Sequence, residues 1–183
     1  MKNNFIFAVL FLFFVLIACG DKNATESETI ETNVTSRRVA SSDNAPTGDV
    51  FRATLINKDA SVQFEGKFTT GNEYTLSFWF YNETGNTNVQ AEWSHWPNIT
   101  DEILLEESAP GEWVYHEAKF TALVGGTLLQ IAPEHSTRAA NHTFYVANVT
   151  ITAADGTVQA IPLSALKGHW ESSVITTSVV PAP

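Results

Sequence analysis

The sequence predicts an all-β fold, an antiparallel β-sandwich of the jelly-roll type with about eight strands. Three observations carry that expectation. The apolar residues come in short runs rich in Val, Ile, Phe, Tyr, Trp and Thr. Turn residues separate the runs at “NKDA”, “TTGN”, “ETGN”, “APG”, “LVGG” and “ADG”. Stretches with helical periodicity and caps are almost absent.

In chain order the strands are expected at Phe51–Ile56, Ser61–Phe68, Tyr74–Asn82, Val89–His95, Glu112–Thr121, Thr127–Ala132, Thr143–Thr152 and, more weakly, Val158–Pro162. Asp155-Gly156 is a hairpin turn signal between the last two. “DEILLEE” reads as a helical turn, a loop or a strand, and “ESSVITTSVVPAP” as a final strand or a loose tail. “YTLSFWFYN” poses the main question. Tyr74, Leu76, Phe78 and Phe80 share one face, as a core strand requires. Thr75, Ser77, Trp79 and Tyr81 share the other, which therefore carries two large rings where polar residues are expected.

The chain divides into four parts. Residues 1–18 pair one Lys with a continuous apolar run, the pattern of a secretory signal. Their end, Leu16-Ile17-Ala18-Cys19, resembles a bacterial lipobox. That resemblance implies cleavage before Cys19, its acylation (palmitate among the chains), and a lipid-anchored protein of the bacterial cell envelope, at the outer membrane. Cys19 is the only cysteine, so no intrachain disulfide forms. Residues 19–47 are rich in Ser, Thr, Asn and acids and read as a flexible tether. Residues 48–170 form the sandwich domain, and 171–183 the C-terminal strand or tail. The formal net charge of −10 argues against nucleic acid as a partner, because phosphate neutralisation needs basic residues.

Three stretches together resemble carbohydrate-binding modules of the family 4/9/22 type: “GNEYTLSFWFYN”, “GEWVYHEAKFTA” and “TLLQIAPEHSTRAANHTFYVANVTIT”. The resemblance spans about Ser61 to Thr152 and implies a galactose-binding-like jelly roll that holds a polysaccharide or oligosaccharide without catalysis. A laminin-G-like lectin sandwich is the second fold that the “SFWF” strand suggests. In many such relatives an acid in the closing strand helps hold a structural calcium. Here Ala147 and Asn148 stand in that region, which weakens the oxygen-ligand set, so no cofactor is expected beyond a doubtful calcium.

A sugar presents C–H faces to aromatic rings and hydroxyls to amides and carboxylates. The expected glycan site is accordingly a shallow groove. Trp79 and Tyr81 form its floor, Trp96 its wall, and Gln90, Glu92 and Gln130 its polar contacts. The competing reading covers those rings with protein and gives the chain a structural or adhesive role towards a protein partner. Trp113 and His116 read as core residues, and “EHSTRAANH” as a solvated loop. No nucleophile elbow, phosphate loop or His-Glu-x-x-His motif is present, and Glu92 lacks an identifiable partner carboxylate for glycoside hydrolysis.

Overall fold

The computed structural model describes residues 39–40, 45–85, 87–94, 100–122, 128–169 and 174–183. The assignments of a signal, of Cys19 and of Trp96 lie outside these residues. The described strands are β1 (Val39–Ala40), β2 (Asp49–Leu55), β3 (Val62–Glu65), β4 (Glu73–Asn82), β5 (Thr87–Ser94), β6 (Thr100–Ser108), β7 (Trp113–Thr121), β8 (Leu128–Pro133), β9 (Thr143–Ala153), β10 (Val158–Ala160), β11 (Lys167–Gly168) and β12 (Ile175–Pro181). A single 3-10 turn, Leu163–Ala165, is the only helical element among the described residues.

The strands form two antiparallel sheets. The seven-stranded sheet runs β1-β7-β4-β9-β2-β12 with β10 beside β9, and the five-stranded sheet runs β11-β3-β8-β5-β6. One core joins them into a sandwich: Phe78, Phe80 and Val146 from the first sheet pack with Val62, Phe64, Val89, Leu129 and Ile131 from the second. The alternation of β4 is as expected, with Tyr74, Leu76, Phe78 and Phe80 all in that core. Asp155-Gly156 closes the β9–β10 hairpin, with Gly156 at φ +85° and Val158 opposite Thr152.

Two segments that the sequence left open are strands, and two others differ from expectation. “DEILLEE” lies in β6, paired along β5. The C-terminal run is β12, paired with β2 from Ile175↔Leu55 to Pro181↔Asp49. Val39 and Ala40, placed in the tether by sequence, pair with Tyr115 and Val114 of β7. β3 stops at Glu65, short of the expected Phe68, and at the following Gly66 a Cβ would run into the Phe68 ring and Ile151. Phe68 folds back there onto Tyr74 and Phe120, with ring centroids 5.1 and 5.6 Å away.

β9 carries a bulge. Ser77 faces Thr150 whereas Trp79 faces Ala147, and Asn148 takes φ 51°. The extra residue resets the pleat, so Phe144 and Val146 point inward before it and Val149 and Ile151 after it. Strict alternation in the sequence hides this.

Candidate functional site

The expected groove divides between two faces. Trp79 and Tyr81 lie on β4 in the seven-stranded sheet, whereas Gln90 and Glu92 on β5 and Gln130 on β8 lie in the five-stranded sheet. Trp79 and Tyr81 in the one sheet, and Gln90 and Gln130 in the other, alternate with core residues, so they point out of opposite sides of the sandwich and do not share one groove. Strand order produces this outcome: β4 is joined to β5 in sequence, but hydrogen-bonds to β7 and β9.

On the seven-stranded face the rings form a second apolar cluster. Trp79 is opposite Tyr115, and Tyr81 lies between Trp113 and Tyr145. The ring centroids are 5.4, 5.4 and 5.5 Å apart, within the range of favourable aromatic contact. Trp79 is only 7% exposed and packs with Val50, Tyr145 and Ala147. Tyr81, Trp113 and Tyr115 are half-buried at the cluster's margin. Trp113 therefore belongs to the outer cluster and not to the central core, because the inward alternation of β7 starts one residue later, at Val114. The Tyr145 hydroxyl donates to Glu83 Oε1. Burial, and then the Glu83 carboxylate, push that phenol above its ordinary value and keep it a donor.

On the five-stranded face, register builds a polar row. Lys167 is opposite Gln63, Gln63 opposite Gln130, Gln130 opposite Glu92, and Glu92 opposite Glu102. Adjacent strands place these positions about 4.8 Å apart. The middle of the row is sunken. Gln130 is 5% exposed, and its Oε1 accepts from Ser61 Oγ at 2.6 Å. Gln63 is half-buried and Lys167 exposed at the same face. The backbones of Glu92 and Glu102 are described, while their side chains lie outside the described set.

Gln90, the neighbouring outward amide, has a different connection. Its Oε1 accepts from Arg138 Nη2 at 3.2 Å and from the His135 amide at 3.0 Å. Arg138 is itself buried and donates also to the carbonyls of Pro133, Lys58 and Ala60. The segment read as a solvated loop thus holds a buried guanidinium, which ties the 57–60 and 133–138 segments to β5. His142 of the same loop is buried too, its Nε2 donating to Asn82 Oδ1 at 2.6 Å. His135 alone of the three is exposed, 3.1 Å from Asp59. His116 is a buried core residue bonded to Ser108 Oγ at 3.0 Å, as the sequence suggests. The polar composition of “EHSTRAANH” concealed these bonds, because their partners are remote in sequence.

His142 makes the fold acid-sensitive. Burial, and then the Arg138 charge, hold its pKa below the ordinary imidazole value. The fold therefore keeps the neutral ring, and the unfolded chain takes up the proton first. The stability tied to His142 is fully present above the free-imidazole pKa of about 6.5 and drains as pH falls below it. His169, lowered by burial, acts with the same sign. Melting temperature is expected to fall between pH 7.5 and 5, and His142→Gln to flatten part of that slope. An unchanged slope in the variant contradicts the assignment.

Among the described residues no group of three or more His, Cys, Asp or Glu is placed to hold a metal ion. No protein-family model and no curated protein matches the chain. Solved structures do. One, titled “PbXyn10C CBM APO”, superposes with a TM-score of 0.55 at 13% identity, covering 78% of this chain and 94% of that one. Another is the Clostridium thermocellum endo-1,4-β-D-xylanase 10B CBM22-1–GH10 structure complexed with xylohexaose, at a TM-score of 0.47 and 17% identity, covering 67% of this chain and 25% of that one. The chain has an antiparallel jelly-roll sandwich, a fold that it shares with the first of these structures.

Proposed function

We propose that this protein is a non-catalytic glycan-binding module, held at the cell envelope through an acylated Cys19, and that it binds an extended saccharide across its five-stranded face. The observation that carries the reading is the Gln63–Gln130 pair of amides, with Gln130 sunken and bonded to Ser61, at register positions that continue across the backbones of Glu92 and Glu102. A saccharide laid across these strands meets the Gln63 and Gln130 amides, and sugar hydroxyls both donate and accept. The fold shared with the structure titled “PbXyn10C CBM APO” supports the choice of a sugar ligand over other polar ligands. Trp96 belongs to the connection between β5 and β6, next to one end of the row in sequence, and keeps its proposed role as a stacking wall.

The test is affinity gel electrophoresis of the purified chain in soluble polysaccharides, with reducing-end release measured alongside. Retardation by at least one polysaccharide, without released ends, is expected. The Gln63→Ala/Glu92→Ala pair removes two hydrogen-bonding groups at about 1 kcal/mol each and should weaken binding about tenfold or more. Its melting temperature should remain unchanged. Free migration of the wild-type chain in every polysaccharide contradicts the proposal.

A second reading rests on the half-buried rings of Tyr81, Trp113 and Tyr115. Aromatic rings at a surface also suit protein contacts. In that case the seven-stranded face docks a protein partner, and a Tyr81→Ser/Tyr115→Ser variant loses a pull-down partner while its polysaccharide retardation is unaltered.

A further inference from the structure

A cavity of about 230 Å³ lies away from the polar row, lined by Lys67, Tyr74, Ile151, Ala153, Thr157 and Gln159. It sits between the β3–β4 connection, which supplies Lys67, and the β9–β10 hairpin, which supplies Thr157 and Gln159. Its floor is apolar, made by the Tyr74 ring with Ile151 and Ala153. Its volume equals about eight waters at about 30 Å³ each. That is below the roughly 300–1,000 Å³ of sites for drug-sized molecules, so it suits one small ring.

The hydrogen bonds around it select the ligand's polarity. Gln159 Oε1 accepts from the Lys67 backbone N–H at 3.1 Å, which leaves the carboxamide NH2 as the end available for a ligand. The Tyr74 oxygen accepts from the Thr69 N–H at 2.8 Å. The Thr157 hydroxyl is bonded to Asp155, whose carboxylate also takes the Thr157 N–H at 2.8 Å. Asp155 is thereby held within its own turn and is not part of the lining. The lining thus combines two residues with donor groups, Lys67 and Gln159, with the apolar Tyr74, Ile151 and Ala153. Among the described lining residues there is no carboxylate, in a chain whose formal net charge is −10.

We infer that this cavity is a second binding site, for a single carboxylate-bearing sugar ring such as a uronate residue. The carboxylate meets Lys67 and Gln159, and the C–H face of the ring lies on Tyr74 and Ile151. The choice of a sugar as the ring rests on the glycan reading above; the anion preference rests on the donors alone. Charge-assisted hydrogen bonds are about twice as strong as neutral ones, so an acidic ring is favoured over its neutral counterpart.

The test is an NMR titration of the 15N-labelled chain with methyl β-D-glucuronide and methyl β-D-glucoside, which differ only in a carboxylate for a CH2OH. The glucuronide is expected to shift the amides of Lys67, Ala153 and Thr157 saturably, about tenfold more tightly than the glucoside. Lys67→Met should erase that preference and Gln159→Leu reduce it, with melting and polysaccharide retardation unchanged. Equal responses to both glycosides, or an equal response of these amides to inorganic sulfate, overturn the inference. A silent glucuronide titration with retardation intact overturns this site alone, whereas loss of retardation in the wild-type chain overturns the glycan reading.

Discussion

Trp79→Ala is expected to destabilise the fold by about 3–5 kcal/mol, the usual cost of emptying a buried large aromatic site. In a domain of this size that lowers the melting temperature by roughly 10 °C. The indole is 7% exposed and packs among Tyr115, Tyr145, Val50 and Ala147, drawn from strands β7, β9 and β2. Removing it opens a void bounded by four strands of one sheet, which cannot close without bending that sheet. Trp79→Phe should recover part of the loss, and thermal denaturation of the three proteins is the check. A drop below about 2 °C for the alanine variant means that the indole is a surface ligand and not a packing element.

Arg138→Met is the other large effect, an expected loss of about 3–5 kcal/mol despite the similar side-chain volume. The guanidinium donates to Pro133, Lys58 and Ala60 carbonyls and to Gln90 Oε1. Methionine takes this donor away from the three carbonyls, while Gln90 Oε1 keeps the His135 N–H. Gln90→Leu, which removes one acceptor and leaves the guanidinium its three carbonyls, should cost distinctly less. Chemical denaturation of both variants checks the order, and equal losses contradict it. The two segments that Arg138 joins flank β5, so the arginine variant should also loosen the five-stranded face. Its polysaccharide retardation should weaken without loss of any group in the polar row.

The sandwich was legible in the sequence because it follows from local signals. Period-two alternation placed Tyr74, Leu76, Phe78 and Phe80 in the core, and Asp155-Gly156 closed a hairpin where expected. The two-sided β4 strand was legible too, but its meaning was not. Outward Trp79 faces outward in the structure and is still packed, because neighbouring strands of the same sheet supply Tyr115 and Tyr145 at the same level. Those neighbours are 36 and 66 positions away in the chain, and no pattern within one strand reports them. The same limit split the candidate groove. Adjacency of β4 and β5 in sequence suggested one surface for Trp79 and Gln90, whereas hydrogen bonding assigns them to different sheets. Arg138 and His142 were read as solvated for a related reason, since Gln90 and Asn82 reach them only in the folded chain.

The most direct measurement is an amide chemical-shift map of the 15N-labelled chain, titrated with an oligosaccharide from whichever polysaccharide retards it. Saturable shifts concentrated at Gln63, Gln130 and Lys167 are the predicted result. Shifts confined to β4 and β7 around Trp79, Tyr81 and Tyr115, with the five-stranded sheet silent, contradict it.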